Sequence, residues 1–226
     1  RVPFDETTPF RPVCDYGRSK IAAEGVCRVF RGLGLDVVVL RPRVLIGPGR
    51  LGIWQILFDW IADGRRVFLI GDGGNRFQAL SIEDMVDACV SCAVSAGAGH
   101  EDLNLGASSF GTMGGDLRSL IDHAGTGSTM IRIPAAPVKA ALRGLDAASL
   151  SPLTAWHYLT FDADFFFDTS RARSVLGWEP RIGNREMLAS AYDWYVGHRD
   201  LVDRAYGTTH RRSARQRIFR LLRAIS

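Results

Sequence analysis

Long apolar runs are missing from this chain of 226 residues. None approaches the roughly 18 residues that a helix needs to cross a bilayer, and no leader pattern of basic then apolar residues opens the chain. A membrane-spanning protein is therefore not expected, and the chain is read as cytoplasmic. Cysteine is scarce too. Cys14, Cys27, Cys89 and Cys92 are the only 4, and their spacing is not that of a disulfide framework. Cys89-x-x-Cys92 lies in a run of small apolar residues without a second ligand pair, so packing is the expected role and no metal is expected. Lysine is nearly absent: Lys20 and Lys139 are the only lysines among 28 basic residues. A net charge of +4, concentrated toward the C-terminus, gives no footprint for nucleic acid. With 46% hydrophobic and 23% charged residues, the chain can bury one good core and a satellite.

What the chain does have is Tyr16-Gly17-Arg18-Ser19-Lys20, opening a helical pattern. A tyrosine and a lysine four residues apart share one helix face, one turn from each other. A phenol with a pKa near ~10 is a poor base at neutral pH, but a neighbouring ammonium stabilises the phenolate. The pair can therefore exchange a proton with a substrate hydroxyl or carbonyl. The same spacing also occurs in surface pairs without chemistry.

Helices and short strands alternate along the chain, with no internal repeat. Apolar spacing predicts helices over 15–32, 51–62, 82–96, 113–124, 136–145, 170–176 and 185–206, with Ile53, Ile56, Leu57 and Trp60 on one face of the second. Strands are predicted over 36–40, 66–70, 76–80, 103–105 and 130–133, the first a continuous β-branched run suited to a buried parallel position. Ser81 is the expected N-cap of the third helix with Asp84 at its third position. The stretch 146–164 is the least periodic and reads as a loop.

Six segments resemble, in order and spacing, the extended short-chain dehydrogenases/reductases, the NAD-dependent epimerase/dehydratase family. They are Glu6-Thr7-Thr8-Pro9 with Tyr16 through Lys20 and Ala23-Glu24; Arg41-Pro42 with Gly47-Pro48-Gly49; Ser81-Ile82-Glu83-Asp84; Leu103-Asn104-Leu105-Gly106; Asp168-Thr169-Ser170-Arg171-Ala172; and Leu176-Gly177-Trp178-Glu179-Pro180. The resemblance spans roughly residues 1 to 200. It implies an α/β fold: part of a Rossmann-type doubly wound parallel sheet, with a smaller α/β lobe for substrate. Residues 1–48 and 81–106 would complete the dinucleotide-binding domain, 49–80 and 107–200 would form mainly the substrate lobe, and 201–226 a basic tail.

The family's glycine-rich phosphate turn is not found. Gly71-Asp72-Gly73-Gly74 follows an apolar run but no helix opens after it, and Gly125-Thr126-Gly127 leaves a helix, reading as its C-cap. The chain is therefore expected to be the C-terminal part of a longer enzyme, with a catalytic Ser or Thr upstream of Arg1. The sheet should then have an uncovered edge and exposed apolar faces.

The resemblance implies hydride transfer at a sugar or similar secondary alcohol, with NAD or NADP. Tyr16 would be the acid/base; Lys20 would lower its pKa and bind the nicotinamide ribose. Pro42, Arg43 and Val44 would lie beside the nicotinamide, and Asp84 would serve capping or lobe packing. Two departures limit the substrate reading. Val44 stands where many family epimerases carry a diphosphate-binding Asn, and Arg76 lies one residue from the expected diphosphate arginine. Arg76 is still the candidate substrate ligand, since a guanidinium suits a phosphate; Arg171 and Arg173 are further cations. The implied substrate is a nucleotide-activated sugar and the full-length form a homodimer. A non-catalytic dinucleotide sensor or scaffold of the same fold is the alternative. In the tail, arginines from Arg211 to Arg223 interleave with Ile218, Phe219, Leu221, Leu222 and Ile225. They form a basic amphipathic pattern able to contact an anionic membrane surface or to pack on its own protein.

Overall fold

Capping residues and apolar spacing divide the chain into short strands separated by helices. The computed structural model describes residues 2–95, 98–147 and 160–204. Its strands are β1 (Val39–Pro42), β2 (Val44–Ile46), β3 (Arg66–Ile70), β4 (Ala79–Ser81), β5 (Asp102–Leu105) and β6 (Thr129–Ile133). Its helices are α1 (Asp15–Gly32), α2 (Trp54–Ala62), α3 (Ile82–Val94), α4 (Met113–Ala124), α5 (Ala135–Ala147), α6 (Ser170–Leu176), α7 (Asn184–Gly197) and α8 (Arg199–Arg204).

Every ladder among the described residues is parallel: β1 with β5, β2 with β4, and β3 with β6. Parallel pairing with intervening helices is the α/β class expected from the sequence. The run from β1 to β2 changes partner at Arg43. Arg43 N–H donates to Leu105 O at 2.8 Å, ending the contact with β5, and the next strand residue, Val44, faces Ala79. Gln78 sits at this crossing, donating to Ala107 O (2.9 Å) and accepting from Phe167 N–H (2.8 Å). Gly106 is required there, because a Cβ would fall 2.4 Å from the Gln78 carboxamide carbon.

Two apolar clusters result. The larger joins α2, β3, α4 and α7 around Phe58, Ile61, Val67, Leu117 and Tyr195; the smaller joins Leu80, Ala88, Leu103, Leu105, Ala172 and Trp178. The buried face of α2 is Trp54, Phe58, Trp60 and Ile61, while Ile53, Ile56 and Leu57 are only partly buried. The sequence expectation was therefore rotated: the two flanking aromatics, with the most area to remove from water, take the inner face. Residues 51–53 also precede the helix rather than opening it.

The strand expected over 36–40 is instead Val39–Pro42, because β5 offers partners only from Asp102 onward. Asn184 opens α7 with its side chain buried, donating to Phe77 O (2.7 Å) and Asp116 Oδ2 (2.9 Å). The helix expected over 185–206 breaks at His198, so α7 and α8 are separate. Likewise α5 runs on to Ala147, past its expected end and into the stretch read as a loop. Caps agree with the sequence. Ser81 Oγ accepts from Asp84 N–H at 2.9 Å, and Gly125 ends α4 in the left-handed region with φ of 60°. Exposed apolar side chains also appear as expected, with Val26, Val29 and Phe30 on α1, Leu33 just after it, and Val86, Val90 and Val94 on α3. No helix among the described residues is long and apolar enough to cross a membrane, and the basic tail, 205–226, lies outside them.

Candidate active site

Helix α1 begins with no side-chain cap at Cys14; Asp15 in its first turn pairs with Arg18 at 2.5 Å. Tyr16 is 64% exposed, and Lys20 Nζ lies 5.4 Å from the centre of its ring. The four-residue spacing has therefore placed ammonium and phenol on one face, as the sequence predicts. Ser19 Oγ donates to Tyr16 O at 2.8 Å, reinforcing this first turn.

One turn further, Glu24 receives Arg41 from β1 at 2.9 and 2.6 Å, and the same guanidinium reaches Asp102 on β5 at 2.7 Å. Arg31, in the last turn of α1, closes the ladder: Nη1 pairs with Asp102 at 2.8 Å, and Nε and Nη2 donate to Val37 O and Glu101 O. Burial alone would lower the basicity of Arg41, but the bond to Glu24, then the charges of Glu24, Asp102 and Glu6, raise it above the ordinary arginine value. Glu6 in turn accepts from Asn104 N–H at 2.7 Å, tying the segment before α1 to β5. The sequence marked Glu24 and Arg41 as separate motif positions. Their pairing was not anticipated, although Glu24 follows Lys20 at helical spacing.

Arg43 contrasts with Arg41. It is 6% exposed, its guanidinium carbon lies 4.2 Å from the Phe165 ring centre and 5.3 Å from that of Phe167, and no carboxylate pairs with it among the described residues. Burial pushes its pKa down to about 9. Pro42 closes β1 opposite Leu105. Val44 packs against the larger apolar cluster, so its side chain cannot replace the polar contact of an Asn.

Arg76 is exposed and stacks on Phe110 (4.6 Å) and Phe166 (4.5 Å), its side chain pairing with no carboxylate among the described residues. Arg171 and Arg173 are occupied by Glu101 and Glu179. Asp84 is buried, and its carboxylate accepts the backbone N–H groups of Arg181 (2.9 Å) and Ile182 (3.1 Å), which joins α3 to the segment before α7. At the other cysteine pair, burial and then the charge of Cys89 push the Cys92 thiol up, away from the reactive thiolate.

The sequence profile of the NAD dependent epimerase/dehydratase family matches residues 1–106, which hold α1, β1, α3 and β5. Those residues belong to the NAD-dependent epimerase/dehydratase family. An uncharacterised protein of Sinorhizobium fredii, y4nG, is 38% identical over 221 residues, covering 97% of this chain and 55% of that protein. A UDP-glucose 4-epimerase of Mycolicibacterium smegmatis is 25% identical over 199 residues, covering 85% of this chain and 56% of the enzyme. Among solved structures, UDP-glucuronic acid 4-epimerase from Bacillus cereus, in complex with UDP-glucuronic acid and NAD, superimposes with a TM-score of 0.68. That match has 18% identity and covers 87% of this chain and 57% of that one, a likeness of fold. The chain thus spans about half the length of these relatives.

Two glycine segments have structural reasons here. A Cβ on Gly47 would lie 3.0 Å from the Ile82 side chain, so glycine lets the turn after β2 pack closely on the start of α3; Gly49 takes φ of 73° in the same turn. In Gly71–Gly74, a Cβ on Gly73 would fall 2.5 Å from Leu69 and 3.0 Å from Gly114, and Gly73 O accepts from Gly114 N–H. That turn packs the end of β3 against the start of α4.

Proposed function

We propose that this chain carries the proton-transfer helix and the substrate lobe of an NAD(P)-dependent epimerase, dehydratase or reductase acting on a nucleotide-activated sugar. The glycine-rich βαβ unit that completes such an enzyme would lie upstream. The observation that carries the reading is the Tyr16–Lys20 pair on a helix fixed by the Glu24–Arg41–Asp102 ladder.

The residues present fit one end of a dinucleotide. Parallel β1 and β5 end side by side at Pro42 and Leu105, and ligands of open α/β sheets bind beyond such strand ends. Lys20 would bind the nicotinamide ribose, and the 42–44 segment would border the nicotinamide ring. No strand-to-helix glycine turn among the described residues suits the pyrophosphate. When bound, NAD(P) would supply the hydride acceptor or donor.

Tyr16 would hold the proton exchanged with the sugar hydroxyl or ketone. Lys20, with its ammonium 5.4 Å from the centre of the Tyr16 ring, would hold a positive charge beside the exchanging group. Arg76, lying over the contacting rings of Phe110 and Phe166, would offer its edge to the diphosphate. Homodimer formation and membrane contact through the tail remain expectations of the full-length form.

Two measurements test the proposal. Calorimetry of the 226-residue chain with NAD and with NADP should detect no binding, because the main anion cradle is supplied from upstream. Micromolar affinity would place the cofactor elsewhere. The full-length form should convert or reduce a UDP- or dTDP-hexose with NAD(P); an intact, cofactor-loaded protein inert toward all of these would contradict the sugar-nucleotide reading.

A further inference from the structure

Several arginines of this chain are matched to carboxylate. Arg18, Arg28, Arg31, Arg41, Arg171, Arg181 and Arg199 all pair with Asp or Glu. Arg43 has no such partner among the described residues while being more deeply buried than the exposed members of that set: 6% exposed, with Nε lacking a hydrogen-bond partner among those residues. Arg76 also lacks a carboxylate partner among the described residues, but it is exposed, so water satisfies its charge. For Arg43 there is little such water.

Phe165 and Phe167 stabilise the guanidinium through their π faces. They lie over the guanidinium and leave the Nε–H side of its edge unmatched among the described residues. That edge is a rigid fork complementary to carboxylate or phosphoryl oxygens. A buried cation without its counter-charge is unfavourable unless a partner arrives. Its position is also specific: Arg43 directly follows β1, where its backbone N–H bonds Leu105 O at the paired ends of β1 and β5.

We infer that Arg43 is the receptor for an anionic group of the ligand, a carboxylate or phosphoryl group bound at the ends of β1 and β5 with its fork held by Phe165 and Phe167. The inference deepens the sugar-nucleotide reading and rests on it for the identity of the ligand, not for the existence of the anion site. A carboxylate on the sugar and the diphosphate are the two possible sources.

The test follows the Arg43 Nε–H resonance of the 15N-labelled 226-residue chain, assigned by its absence in Arg43→Gln. The probes are acetate, inorganic phosphate, UDP-glucose and UDP-glucuronic acid at constant ionic strength. Saturable movement of this resonance is expected, with affinity about tenfold or more weaker in Arg43→Gln, as for loss of a charge-assisted bond. Tighter binding of UDP-glucuronic acid than of UDP-glucose assigns the sugar carboxylate; equal affinities with a response to phosphate assign the phosphoryl group. A response to acetate or phosphate with no binding of either sugar nucleotide keeps the anion site and overturns the sugar-nucleotide reading. Sugar nucleotides that bind wild type and Arg43→Gln alike, or a resonance unmoved by every probe, overturn the inference. Should Arg43→Gln fail to fold, Arg43→Met serves as the binding control, and the wild-type resonance still decides.

Discussion

Helix α1 buries none of its 18 residues, whereas α7, with 14, buries six. The shorter helix is held by area. Met187, Leu188, Ala191, Tyr192 and Tyr195 enter the larger apolar cluster, and Phe58 packs against both tyrosines. The longer helix is held by charge, through Glu24, Arg28 and Arg31 reaching Arg41 and Asp102. The difference separates a scaffold from a presenting element. Apolar burial is non-directional and fixes α7 by the amount of surface covered, whereas bidentate ion pairs fix α1 by angle and register. Such anchoring positions Tyr16 and Lys20 while leaving them accessible.

A deep substitution in α7 should have the largest effect on stability. Tyr195 is 1% exposed and its hydroxyl donates to Asp59 Oδ1 at 3.0 Å. Tyr195→Ala should cost about 3–5 kcal/mol, as large-to-small changes of buried aromatics do. Urea unfolding measures it, and a loss below about 1 kcal/mol would mean that α7 is not the scaffold described, since that is the ordinary cost of any substitution.

Arg41→Met should come next, at about 2 kcal/mol, because Glu24 and Asp102 are left half-buried without their shared cation. Here the pattern matters more than the size. Hydrogen exchange should quicken in α1 and hardly change in α7. Uniform loss of protection in both helices would erase the contrast between them.

The smallest effect concerns Arg43, and its sign is opposite. Arg43→Met should stabilise the ligand-free chain by about 1 kcal/mol, since an unpaired buried cation is replaced by an apolar side chain of similar length. The pH dependence follows from the lowered pKa, about 9, well under the ordinary arginine value. Below pH 9 the wild type carries the full cost of the charge. Between these values the unfolded chain binds more protons than the folded one, so wild-type stability gains on the variant as pH rises. Thermal melts at pH 7 and pH 10 measure the gap, which should narrow at the higher pH; a destabilised variant at pH 7 would mean the stacking outweighs the burial of charge.

The sequence revealed local features better than partners. α1, β3 and α6 have the boundaries expected from periodicity and capping. The Tyr16–Lys20 face and the Ser81 cap were equally legible, because each depends on residues within one turn. Apart from helix ends, the missed features are long-range. Arg41 and Arg43 lie two residues apart in similar local sequence. One meets Glu24 and Asp102, the other Phe165 and Phe167, and only tertiary contact distinguishes them. The face of α2 was misjudged for a related reason: periodicity gives the spacing of a stripe, but packing against β3, α4 and α7 chooses which aromatics fill it.

Turnover of Tyr16→Phe in the full-length form tests the proton-transfer role most directly. Removing a positioned acid/base should lower kcat by on the order of 10²–10⁴. NAD(P) affinity should stay within about twofold of wild type, because the phosphate cradle that dominates binding is untouched. Wild-type turnover by Tyr16→Phe on the true substrate would contradict the account, leaving α1 a structural helix with an exposed tyrosine.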